Sequence, residues 1–116
     1  MKFFCYPKCT TCQKAKKWLD DKGVSYELRD IMENNPSEAE LREWHKNSGL
    51  PLKKFFNTSG LLYKSMELKN KLPDMTDDEQ IKLLATDGML VKRPILVDGK
   101  KVLVGFKEKE YEELLS

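Results

Sequence analysis

The sequence predicts an α/β domain built on a mixed four-stranded sheet with helices packed against it. Three observations carry that class. A strand–helix–strand pattern opens the chain over residues 2–29, two capping boxes mark helices in the middle, and an Asp-Gly hairpin followed by one more helical pattern closes it. The expected order is β, α, β, several helices, β, β, α, within one domain over residues 1–116 and with a helical insertion at about 37–88.

Residues 2–6, Lys-Phe-Phe-Cys-Tyr, read as a strand ended by Pro7, which has no N–H to give to a ladder. From Thr10 to Lys22 good helix formers dominate, Ala15, Trp18 and Leu19 share a face, and Gly23 supplies a stop. Val24, Tyr26 and Leu28 alternate with Ser25, Glu27 and Arg29, which predicts a second strand with one buried face. A strand–helix–strand unit of this kind makes the two strands parallel.

Ser37 and Glu40 form a capping box that opens a helix to about Ser48, ahead of Gly49. Its apolar stripe is thin, Leu41 and Trp44. After a turn at Asn57-Thr58-Ser59-Gly60 a helix is expected around Lys64–Lys71. Thr76 and Glu79 form a second capping box for a helix through Ile81 and Leu84, stopped near Gly88. The period then changes: Ile95-Leu96-Val97 and Val102-Leu103-Val104 flank Asp98-Gly99 as a hairpin. Phe106, Tyr111, Leu114 and Leu115 recur at helical spacing as the last helix.

The chain has 116 residues, 40% hydrophobic and 34% charged, which suits one small soluble core. No apolar run approaches the roughly 20 residues of a spanning helix, and Phe3-Phe4-Cys5 is followed by charged residues instead of an apolar leader. A cytoplasmic protein with no membrane contact is expected. A net charge of +2 is far below the basic excess of a chain that binds by neutralising phosphates, so direct nucleic-acid binding is not expected. The sign is uneven, with seven Lys/Arg against three Asp/Glu in residues 1–29.

The three cysteines, Cys5, Cys9 and Cys12, all lie at the start of the chain. An odd count without a leader argues against a disulfide framework and for reduced thiols, among which a CxxC is catalytic or metal-binding. At a helix start, free N–H groups and the dipole stabilise a thiolate, which makes Cys9 the expected nucleophile. Cys12, one turn on, is the expected resolving thiol. Lys8, Thr10 and Thr11 support the pair, with Lys14 and Lys17 adding positive charge. The three also spell C-x3-C-x2-C, an iron–sulfur spacing, but that chemistry sits in barrels much larger than this chain. A closed zinc site needs four Cys/His ligands, and the lone His45 on the acidic helix reads as a solvated surface residue. Arg93-Pro94 stands just before the hairpin; in a thioredoxin-type fold an X-Pro bond at this place is commonly cis, and the fold would bring it beside the CxxC. Arg93 could then offer its fork of donors to the thiolate or to an oxyanion.

Cys9-Thr-Thr-Cys12 after a first strand, Lys92-Arg93-Pro94-Ile95 before a hairpin, and Val104-Gly105-Phe106 before the last helix together resemble the ArsC/Spx family across nearly the whole chain. The resemblance implies a thioredoxin-like, glutaredoxin-related fold with a helical insertion between strands two and three. Family arsenate reductases use one reactive cysteine, which maps to Cys9, and three arginines around the oxyanion. Only Arg93 has a counterpart here; Phe56-Asn57-Thr58 and Val104 to Phe106 lack the other two. The Spx branch implies a redox switch that contacts the C-terminal domain of the RNA polymerase α subunit, but the chain ends at Ser116 without the extension expected of that branch. The resulting expectation is a thiol–disulfide redox protein with Cys9, Cys12 and Arg93 as its site and Pro94 beside it. No resident cofactor or metal is expected, the electron donor being a thiol reductant such as glutathione, glutaredoxin or thioredoxin. Arsenate reduction and polymerase-bound regulation are the alternatives.

Overall fold

A computed structural model describes residues 1–115; Ser116, the last residue of the expected domain, lies outside the described residues. The chain runs β1 (Lys2–Cys5), α1 (Thr10–Asp21), β2 (Glu27–Asp30), α2 (Glu38–Ser48), α3 (Leu61–Ser65), α4 (Leu68–Lys71), α5 (Asp77–Leu84), β3 (Ile95–Asp98), β4 (Lys101–Val104) and α6 (Glu108–Leu115). One-turn 3-10 segments at Leu52–Phe55, Leu72–Asp74 and Gly88–Leu90 link the helices of the insertion. The sheet order is β2-β1-β3-β4, with β1 parallel to β2 and both later pairings antiparallel. This is the mixed sheet expected, and the helical insertion falls between the second and third strands.

The alternation of side chains along each strand divides the core in two. Phe4, Ile95 and Val102 face α2 and the insertion, joining Leu41, Trp44, Phe55, Phe56 and Leu84. Phe3, Cys5 and Leu96 face the other way, where Ala15 and Leu19 of α1 and Tyr111 of α6 close over them. Both predicted capping boxes form: Ser37 Oγ accepts from Glu40 N–H, and Thr76 Oγ1 accepts from Glu79 N–H, at 3.2 Å each. At the hairpin Gly99 takes φ 58°, the left-handed conformation the tight turn requires.

Three expectations need correction. The second strand is Glu27–Asp30, not 24–29, and Leu28 is 52% exposed. Residues 24–26 are used in leaving α1: Val24 N–H still bonds Leu19 C=O, and the Tyr26 hydroxyl reaches back to Asp20. Pairing with β1 therefore starts only at Lys2↔Glu27, and as the sheet edge β2 lacks the buried face that alternation implied. The single helix expected around 64–71 is two, α3 and α4, broken at Glu67 with φ 54°. The helix expected to stop near Gly88 ends at Leu84. Gly88 instead lets the chain pass against β2's exit: a Cβ there would lie 1.9 Å from the Ile31 carbonyl oxygen.

Candidate redox site

The turn between β1 and α1 sets the site. Cys9 N–H bonds Tyr6 C=O at 2.9 Å, and the Gln13 side-chain amide donates to Pro7 C=O, fixing the loop that delivers Cys9 to the helix start. Cys9 is the N-cap of α1, with extended φ/ψ of −88° and 121°. The thiol forms no regular cap bond, yet the Cys12 N–H is directed at its sulfur. All three cysteines are free thiols; Cys9 is half-buried, while Cys5 and Cys12 are buried.

Arg93 arrives from the opposite end of the chain. The Arg93–Pro94 bond is cis, as the motif led us to expect. Its guanidinium lies 5.1 Å from the centre of the Tyr6 ring and 3.7 Å from Met89 Sδ, close enough to favour the Cys9 thiolate. The Arg93 Nε is buried without a partner. Burial acts to push the Cys9 thiol up, but the Cys12 N–H, the Cys12 thiol and the Arg93 guanidinium together bring it below the ordinary thiol range. Cys12 moves the other way. Its proton is held by hydrogen bonding to Cys5, by burial and by the facing Cys9 sulfur, so its pKa is strongly raised.

The sequence sets Cys5 in the strand, apart from the pair; the structure brings it to the Cys12 side of the sheet. The Cys12 thiol bonds Cys5, lowering it against burial and Asp30. The N–H of Tyr6, the next residue, donates to Cys12 Sγ at 3.3 Å. Cys12 thus acts on the titration of both other thiols. The alternation of β1, which sends Cys5 to the α1 side with Phe3, was the available signal.

Thr10 and Thr11 are exposed in the first turn of α1. Lys8 is exposed as well, and Lys17 is ion-paired with Asp21 at 2.9 Å, so the cation acting on Cys9 is Arg93, in place of the helix lysines. His45 is half-buried at the last turn of α2, not a freely solvated residue. Among the described residues no cluster of His, Cys, Asp or Glu is arranged to hold a metal ion. Nor is any described helix long and apolar enough to cross a membrane.

The model of the ArsC family matches residues 4–114. The chain is 56% identical over 111 residues to the uncharacterized protein YusI of Bacillus subtilis, covering 96% of this chain and 94% of that one. The solved structure of an ArsC-family-related protein from Bacteroides fragilis superposes with a TM-score of 0.95 at 57% identity, over 97% and 95% of the two chains. A possible arsenate reductase from Streptococcus mutans gives 0.88 at 46% identity, over 96% of each. Regulators named MgsR and Spx are also relatives; MgsR of B. subtilis is 30% identical over 97% of this chain and 87% of its own.

Proposed function

This chain belongs to the ArsC family, and on that footing we propose that it is a thiol–disulfide redox protein. The observation that carries the reading is the opposite bias on two thiols at one helix start: Cys9, the N-cap, is half-buried and favoured as thiolate, while Cys12, in the first turn, is buried and holds its proton. In the forward step the Cys9 thiolate attacks one sulfur of a disulfide, the partner's S–S bond breaks, and the other sulfur leaves as a thiolate. Arg93 stabilises Cys9 before attack and, with the Pro94 segment, orients the incoming partner. Cys12 then gives up its proton and attacks Cys9 sulfur, forming the Cys9–Cys12 disulfide and releasing the second partner thiolate. Two electrons pass from the protein dithiol to the partner, and the two departing thiolates take up two protons. A thiol reductant such as glutathione, glutaredoxin or thioredoxin returns the protein to the dithiol.

Arsenate reduction is the second reading, supported by the Arg93 guanidinium on Cys9 and by the likeness to a possible arsenate reductase. Two of the three arginine positions that the family resemblance implies hold no arginine. Each missing charge-assisted bond costs about 1.5–3 kcal/mol, and two amount to roughly 10² to 10⁴ in affinity. Regulation through RNA polymerase α, suggested by the relatives named Spx and MgsR, would use the same thiols as a switch without turnover. Purified protein assayed side by side on a small disulfide and on arsenate, with each thiol donor, separates these readings. Disulfide reduction lost in Cys9→Ser, with little arsenate turnover, is expected. Arsenate turnover dependent on Cys9 and Arg93 without disulfide reduction would overturn the ranking.

A further inference from the structure

β4 is one of the two edges of the sheet, opposite β2, and among the described residues it pairs only with β3. Asp98↔Lys101 closes the two-residue turn, and Gly105 N–H donates to Pro94 C=O at 2.8 Å. Hydrogen-bonded pairs alternate along an antiparallel ladder, so residues 101, 103 and 105 turn toward β3 and the N–H and C=O of Val102 and Val104 turn outward. A groove of about 630 Å³ runs there, lined by Val102, Leu103 and Val104 in succession. Successive side chains of a strand point to opposite faces, so a groove touching all three follows the edge and wraps around it.

The walls of the groove are basic over an apolar floor. Lys53 and Lys54 flank it from the insertion, Lys92 from the segment before β3, and Lys107 from the start of α6, against the single acid Glu110. None of these four lysines is ion-paired among the described residues, whereas Lys16, Lys17 and Lys82 are each paired with an aspartate one turn away. Leu50, half-buried, lies over the buried Phe56 as the apolar part of the lining. The insertion wall is already fixed: Phe56 pairs with Val91 in an antiparallel bridge, and Lys92 N–H donates to Phe55 C=O at 2.7 Å. Little ordering is left for a ligand to impose.

We propose that this edge docks an extended acidic segment of a partner protein, which adds to the sheet as a fifth strand beside β4. The outward N–H and C=O groups of Val102 and Val104 supply main-chain affinity, the lysines select acidic side chains, and the half-buried Leu50 takes an aliphatic one between them. The inference stands apart from the redox reading. Lys92 lines the groove while the next residue, Arg93, reaches Cys9, so the two surfaces share a segment but no side chain.

The probe is a labelled peptide of alternating glutamate and valine, titrated into the full chain and followed by fluorescence anisotropy, with an alternating lysine–valine peptide as control. Saturable binding of the glutamate peptide alone is expected, weakened about tenfold by the double substitution Lys53→Glu, Lys54→Glu and by raised salt. Amide exchange should slow at Val102 and Val104 on binding. Both substituted lysines are exposed, and an unchanged alkylation rate at Cys9 would certify the variant's fold. Lysines can also serve only to keep an open edge from self-pairing. In that case the glutamate peptide does not bind, or binds no better than the lysine peptide, or is indifferent to the charge reversal, and any of these overturns the proposal. Binding without protection at Val102 and Val104 overturns it too.

Discussion

Cys9 and Cys12 sit one helical turn apart and experience opposite fields, because one faces Arg93 at a half-open surface and the other is enclosed between two sulfurs. Iodoacetamide at neutral pH should therefore alkylate Cys9 well before Cys12 or Cys5, with the midpoint of its pH–rate profile below that of an ordinary thiol. Arg93→Ala removes the cation, so the midpoint should move up and the neutral-pH rate should fall several-fold. Equal rates in the two proteins would remove Arg93 from the site. Cys12→Ser should trap a mixed disulfide on Cys9, read by mass spectrometry as one added partner mass. The residue pattern made Cys9, Cys12 and Arg93-Pro94 legible, since CxxC at a helix start and an X-Pro before a hairpin are local signals. The alternation of β1 gives the side on which Cys5 lies, but its approach to Cys12 in the same buried cluster depends on how far α1 lies over β1.

Element placement rests on a clamp that spacing did not suggest. Arg29 of β2 makes a two-pronged ion pair with Glu40 of α2, at 2.6 and 2.8 Å, and its guanidinium lies 4.7 Å from the centre of the Phe4 ring. Glu40 also accepts from the Ser37 N–H as half of the capping box. Burial raises the Glu40 carboxyl, but the Arg29 and Ser37 bonds outweigh it and hold it below the usual glutamate range. A carboxyl lowered by folding stabilises the native state above its unfolded pKa, and that contribution is lost as pH falls through the folded value. Arg29→Ala should cost about 1–3 kcal/mol at neutral pH in urea unfolding. The gap to the parent protein should narrow as the solution is acidified through the carboxylate range. At the contact between Gly88 and Ile31, Gly88→Ala forces backbone apart and should cost about 1–3 kcal/mol, lowering Tm by several degrees. An unchanged Tm would mean that the turn can shift freely.

Across the whole molecule, the sheet is the wall between two cores that share its strands. Trp44 belongs to the insertion side, stacked edge-on to Phe4 at 4.7 Å, and Trp18 packs edge-on to Tyr111 on the other at 5.7 Å. Phe3 and Phe4 are adjacent and serve opposite cores, so neither side can lose its packing without loosening β1. Trp18→Phe and Trp44→Phe each leave one fluorescent reporter, and in each variant the fluorescence midpoint in urea should coincide with that from circular dichroism. An earlier transition reported by Trp44 alone would make the insertion a separate folding unit.

The amino-acid sequence alone determined the element order, both capping boxes, the hairpin turn and the thiol pair, because each is written in residues within a few positions of one another. Tertiary structure decided the rest. The register of β2 follows its pairing with β1, since a strand at a sheet edge carries no strict alternation and Leu28 is free to face solvent. The break at Glu67 and the end of α5 depend on how short helices fit over the sheet, to which helix propensity is blind. The charge at the site came from Arg93, distant in sequence, while nearby Lys17 was taken by Asp21. Composition and spacing list the ionisable groups, but only the folded chain determines which of them meet.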